Sequence, residues 1–225
     1  VDAFIHESLS ELITDLRAHT GDVWVISEEH LSLLGDAEIA ELQAFLLRIL
    51  PAADVQVICC VRHPVSMIES DNAQQVTGFK MSLKEATTLS CLAQRSCLYE
   101  APIERWLRMF ANTVVFKFED ATRHPLGPAG YFLESFCSIS GAAIQQDSFP
   151  IVNEAWSINA LFLLSLVEEA HPYFNEQGNI SKGRFPGDWH PLHRIPGPKL
   201  RFNAELNETV SLRASHDVTW LSRTF

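Results

Sequence analysis

VICCVRHPVSMIES, residues 57–70, decides how this chain is read. Val57 to Val61 form an unbroken run of short, mostly β-branched apolar side chains, the pattern of a strand buried on both faces of a parallel sheet. Arg62 stands where that strand emerges. Pro64 has no N–H to leave unsatisfied, so it suits the first turn of a helix that carries Ser70 in its second turn. In open α/β sheets ligands bind beyond the carboxyl ends of strands, and the first N–H groups of a helix favour anions. The stretch reads as half of an anion site.

The flanking sequence repeats the alternation. FIHESLSELITDLRAH (4–19) places Phe4, Ile5, Leu9, Leu12, Ile13 and Leu16 at helical spacing, and Gly21 closes that helix. VWVIS (23–27) reads as a short strand with Ser27, Glu28, Glu29 and His30 at its carboxyl end. Asp36 can cap a helix of about residues 37–49, whose Ile39, Leu42, Phe45, Leu46 and Ile49 form one apolar stripe. Residues 82–110 read as two helices, with Pro102 near a helix start and Trp106, Leu107 and Phe110 facing inward. TVVFKFED (113–120) is a third strand, with Glu119 and Asp120 at its exit. Helix and strand alternating in this way predict an α/β fold of three layers, a mostly parallel central sheet flanked by helices.

Further helices are expected at 131–140, at 156–170 with a cap near Asn153, and at about 203–214. The closing DVTWLSRTF (217–225) is expected to dock through Trp220, Leu221 and Phe225. Between them, segment 171–198 is rich in Gly, Pro, His and basic residues and reads as one long loop, a feature usually tied to function or mobility.

With 225 residues and 47% hydrophobic content the chain can bury a real core, and no compositional break divides it, so residues 1–225 read as one domain. The formal charge of −11, from 17 basic and 28 acidic residues, argues against nucleic-acid binding, so an anionic ligand has to be held locally. No apolar run approaches the roughly 18 residues of a membrane span, and LFLLSLV (161–167) runs at once into Glu168 and Glu169; a soluble protein is expected. Cys59, Cys60, Cys91, Cys97 and Cys137 contain no CxxC pair and are odd in number, which fits small buried hydrophobes in a reducing compartment, the cytoplasm by default. The chain opens at Val1 without an initiator methionine or a signal-peptide pattern, and a preceding N-terminal part is expected. The histidines of HPLH (190–193) lack a third ligand at suitable spacing, so no metal is predicted.

On these segments the sequence resembles the sulfotransferase family, which moves a sulfuryl group from 3′-phosphoadenosine 5′-phosphosulfate (PAPS) to a hydroxyl or amine. The family has a strand ending in Arg and a helix with Ser eight residues later, both holding the cofactor's 3′-phosphate; Arg62 and Ser70 match that pattern. VWVISEEHL is similar to the strand that ends in Ser-Ser-Glu-His-like sequence in bacterial and carbohydrate-type members, and FKFED to the family's Tyr-Glu-Asp at a later strand exit. SKGRFPGDWH (181–190) resembles the Lys-Gly…Gly-Asp-Trp loop of cytosolic members, with one extra residue between the glycines.

The resemblance implies a P-loop NTPase-like sulfotransferase fold, with Lys182, Gly183 and Arg184 as further phosphate contacts and no metal. It implies Glu29 or His30 as the base, with Glu28 third, and the residues leave that choice open. The acceptor it implies is a carbohydrate or small hydroxylated metabolite. The family's first strand and its Gly-rich turn, which grips the 5′-phosphosulfate, are absent from the sequence before the helix at residue 4 and are expected upstream of Val1. Two other readings stay open: a catalytically silent sulfotransferase-like domain that binds a partner, and another P-loop phosphotransferase, against which the lack of a GxxxxGK[ST] segment counts. Oligomeric state is not legible in the sequence.

Overall fold

The structure is a computed structural model that describes residue 14 and residues 23–27, 29–89, 99–139 and 155–225. Its elements are α1 (Asp36–Ile49), β1 (Val57–Val61), α2 (Pro64–Thr77), α3 (Leu83–Ala86), α4 (Glu100–Met109), β2 (Thr113–Lys117), α5 (Phe118–Arg123), α6 (Gly127–Phe136), α7 (Ile158–Ala170), α8 (Ala204–Arg213) and α9 (Ser215–Thr224). The fold is α/β and mostly helical, with a small parallel sheet. Its described residues form two compact units, one holding those up to Val61 and 99–139, the other 62–89 and 155–224.

In the first unit β1 and β2 pair in parallel, from Val57 against Thr113 to Val61 against Lys117, so their carboxyl ends are level. Among the described residues the sheet has two strands, where three are expected from sequence. Residues 23–27 are the difference: they form no strand, and Val23, Val25 and Ile26 are each more than half exposed. An apolar run becomes a strand only when a neighbour takes up its N–H and C=O groups. β2 also stops short of the expected Asp120, because Phe118 opens α5; Glu119 and Asp120 fall in that helix's first turn, where carboxylates suit the helix dipole.

α1 packs on α4 through buried Ile39, Trp106 and Phe110, with Leu42, Leu46 and Val57 around them. Asp36 is not the cap of α1. Gly35 holds that position, its N–H donated to the Glu38 carboxylate at 2.9 Å, while Asp36 sits in the first turn and pairs with Arg108 at 2.8 Å. Phe116 of β2 lies against the rings of Tyr131 and Phe136 of α6, both at 5.5 Å.

In the second unit α2 is the central element. Val65 and Ile68 pack on Phe202, Leu206 and Val210 of the α8 segment, while Ala73 and Val76 pack on Ala86, Leu161 and Leu200. Ser157 caps α7, accepting from the Ala160 N–H at 3.1 Å, so the cap lies four residues beyond the expected Asn153, which is outside the described residues. Asn203 caps α8 in the same way, accepting from Leu206 N–H at 2.9 Å. After Ala214 the chain re-enters a helix, α9, on which Trp220 and Leu221 are half-buried; Phe225 is 52% exposed.

The expected helix at 4–19 lies outside the described residues. Among the described residues no helix is long and apolar enough to cross a membrane.

Candidate functional site

Arg62 follows the last residue of β1 and is half-buried. Two residues on, Pro64 takes the first position of α2, and the first intrahelical bond runs from Met67 N–H to the His63 carbonyl at 2.9 Å. The N–H groups of Val65 and Ser66 therefore precede the hydrogen-bond ladder and point along the helix dipole. No acidic residue lies in that first turn, and the His63 side chain makes no capping bond. Such a start attracts an anion and carries no carboxylate of its own to repel one.

Ser70 is half-buried on the same helix, six residues past Pro64 and so about 9 Å further along its axis. Ser66 is half-buried too and stands four residues before Ser70, on the same helix face. Ser66 is not among the residues expected at the site from sequence; its spacing from Ser70 in SMIES is the signal for it. Glu69, the neighbour of Ser70, is 5% exposed and neutralised locally, accepting from Arg201 Nη1 at 2.6 Å and from Phe202 N–H at 2.8 Å. Its charge is satisfied on the side of α8.

The 171–198 segment is more ordered than its Gly and Pro content implies. Phe174 and Ile180 form an antiparallel bridge, and residues 190–194 form a 3-10 turn. Its centre is a ring cluster: Tyr173 stacks on Phe79 at 4.6 Å, and Trp189 stands edge-on to both at 4.8 Å. Arg184 lies over Tyr173 at 5.2 Å, with its side chain only 5% exposed. It donates to both carboxylate oxygens of Asp188, to Glu168 at 3.0 Å and to the His171 carbonyl. Four of its five N–H groups are thus used inside the loop. Arg184, expected as a phosphate contact, pairs here with Asp188 and Glu168.

Lys182, by contrast, is exposed, and Gly183 adopts φ +89, a left-handed turn that a side chain would strain. Gly187 does the same at φ +83, and a Cβ there would come within 3.1 Å of His190 Nδ1. The loop is therefore shaped by its glycines and held by Arg184 and the rings. Its anchor, Phe79, follows the C-terminal end of α2, whereas Arg62 precedes the N-terminal end, and the 14 residues of α2 span about 21 Å between them. Ser70 lies on α2 and Arg62 two residues before its start; the loop's ring cluster is built at the far end of that helix.

Glu29 and His30 open a 3-10 turn (Glu29–Leu33) in the first unit, without the preceding strand that the sequence predicts for them. Glu28 lies outside the described residues. His190 and His193 point to different partners, the rings of Trp189 and Trp156, at 5.3 and 5.6 Å. Among the described residues no cluster of three or more His, Cys, Asp or Glu side chains could hold a metal ion. No family model, no curated protein and no solved structure matches this chain.

Proposed function

We propose that the chain binds the 3′-phosphate of PAPS at the start of α2 and acts as a sulfotransferase on a hydroxyl of a carbohydrate or small metabolite. The observation that carries the reading is the succession of β1, Arg62 and α2. The strand ends at Val61 and the helix begins at Pro64, so Arg62 lies in the intervening turn and Ser70 in the second turn of the helix, which supports the reading. A guanidinium supplies charge and a forked donor set, the Val65 and Ser66 N–H groups supply oriented dipoles, and the Ser70 hydroxyl supplies a further donor. Lys182, the further cation that the resemblance implies, is exposed on a loop anchored at the far end of α2.

When bound, PAPS supplies an activated sulfuryl group. The chain's part is to hold the phosphate handle and to take the acceptor's proton, the role assigned to Glu29 or His30. A second reading, a catalytically silent domain that binds the nucleotide or a partner without transfer, is favoured by residues 23–27, which form no strand to present Glu29 and His30.

Titration calorimetry with 3′-phosphoadenosine 5′-phosphate tests the site. Binding is expected with the intact chain and is expected to be lost in Arg62→Ala and weakened in Ser70→Ala. A folded chain that shows no heat of binding overturns the proposal. Binding without sulfuryl transfer to any hydroxylated acceptor selects the silent reading.

A further inference from the structure

The turn between α5 and α6 is built on a histidine. His124, Pro125, Leu126 and Gly127 form a β-turn: the Gly127 N–H donates to the His124 carbonyl at 2.9 Å, Leu126 holds φ −97 and ψ 14, and Gly127 takes φ +68. Proline in the second place and glycine in the fourth are residues a type I turn favours. The first place usually goes to Asp, Asn or Ser, whose side-chain oxygen accepts the N–H two residues on. Here His124 Nδ1 takes that bond, from the Leu126 N–H at 3.3 Å.

The bond fixes where the ring carries its hydrogen. A ring nitrogen that accepts is bare, so neutral His124 has its proton on Nε2 and donates it to the Glu134 carboxylate of α6 at 2.9 Å. One ring thus ties the turn to the helix that follows it. Gly130, buried in α6, makes the room: a Cβ there would come within 2.2 Å of Leu126 Cβ and 3.4 Å of His124 Nδ1. The His124 side chain is 19% exposed, shielded from bulk water but open to a proton.

The charged and titratable groups around it come from three elements. On α6, besides Glu134, Tyr131 meets the His124 ring edge-on at 5.9 Å. On α5, Arg123 pairs with Asp120 at 3.1 Å, both well exposed, and Glu119 lies in the first turn. β2 contributes Lys117, exposed at its end.

We propose that the 124–127 turn is a proton-operated latch on the start of α6. A proton taken up from water at Nδ1 turns that acceptor into a donor, which then faces the Leu126 N–H, donor against donor. The same proton converts the Nε2–Glu134 hydrogen bond into an ion pair. The ring stays with α6 and the turn lets go; loss of the proton closes it again. An Asn or Ser in the first place of the turn would hold Leu126 without this response, whereas histidine is the side chain that exchanges its proton between about pH 8 and 5.

Nuclear magnetic resonance on the full chain, labelled with nitrogen-15, tests the latch. At pH 8 the ring-nitrogen correlations of His124 should show the hydrogen on Nε2. As the ring titrates toward pH 5, the Leu126 amide should shift with it. Its protection from hydrogen exchange, corrected for the intrinsic rate, should fall about fivefold, the worth of one hydrogen bond. His124→Asn, which offers Leu126 a side-chain oxygen that does not titrate, should leave that amide protected and its shift flat over the same range. Glu134→Gln keeps an acceptor for Nε2–H and loses the charge, so the ring midpoint should move to lower pH. A hydrogen on Nδ1 at pH 8 overturns the proposal. So does a Leu126 amide that does not follow the ring, an Asn variant in which that amide still titrates, or a midpoint unmoved by Glu134→Gln.

Discussion

Arg201 and Glu69 form an unequal pair: the Glu69 carboxylate is buried and accepts from Arg201 Nη1 at 2.6 Å, while the arginine side chain remains 66% exposed. The two residues are 132 positions apart in sequence and tie α2 to the segment leading into α8. Removing the exposed partner is the more damaging change, because it leaves a buried carboxylate held only by the Phe202 N–H. Arg201→Met is expected to cost about 2–3 kcal/mol in urea denaturation, and Glu69→Gln, which keeps an acceptor for Phe202, about 1 kcal/mol. The reverse order would show that the carboxylate is solvated in the folded chain.

Phe79 is held in the left-handed region at φ +57 and also anchors the ring cluster of Tyr173 and Trp189. Packing keeps a backbone conformation that costs a non-glycine residue roughly 1–2 kcal/mol. The two contributions separate by substitution. Phe79→Ala loses the ring and keeps the strain, an expected loss of about 3 kcal/mol; Phe79→Gly loses the ring and releases the strain, and is expected to be about 1 kcal/mol more stable than the alanine variant. Thermal melts of the two variants decide this, and an alanine variant as stable as the glycine one rules out a strained Phe79.

The strand-turn-helix at residues 57–77 was legible because each signal in it is local: a continuous apolar run, then a proline that can only start a helix. What the sequence misjudged depends on partners distant along the chain. VWVIS has strand composition and forms no strand, since composition does not supply a neighbour to pair with. Segment 171–198 reads as loose from its glycines and prolines, yet Phe79, nearly a hundred residues earlier, gives Tyr173 and Trp189 a ring to pack on. The cap of α1 shifted by one residue because Glu38 can reach back to Gly35 N–H, which leaves Asp36 for Arg108. The place of Arg62 between β1 and α2 and of Ser70 in the second turn of α2 was readable from spacing, whereas the ion pairs of Arg184 were not. Only the fold shows that Asp188 and Glu168 hold it.

Cys59 and Cys60 are adjacent on β1 but differ in environment. Burial pushes the Cys59 thiol up to about 11, while Cys60 is exposed. Only the thiolate reacts with alkylating agents, so at pH 8 a thiol with that value is almost wholly protonated. Iodoacetamide treatment followed by peptide mass spectrometry is expected to modify Cys60 well before Cys59. Equal labelling of the two in the folded chain would contradict the raised value of the half-buried Cys59 thiol.

The Arg184–Asp188 pair gives the 171–198 loop a pH dependence of definite sign. The hydrogen bond from Arg184 lowers the Asp188 carboxyl, burial opposes this, and the charge of Arg184 adds to the lowering. A carboxyl depressed by folding stabilises the folded form above its unfolded value, near 3.9, and that contribution disappears as pH falls through the lowered value. Hydrogen-exchange protection of the loop amides, corrected for the intrinsic rate, is therefore expected to be flat from pH 7 to about 5 and to fall below about pH 4. Asp188→Asn removes the titrating group and two charge-assisted bonds to Arg184, so it should show weaker protection at pH 7 and no acid step of its own. An acid step of the same size in Asp188→Asn would place the titration at another carboxyl.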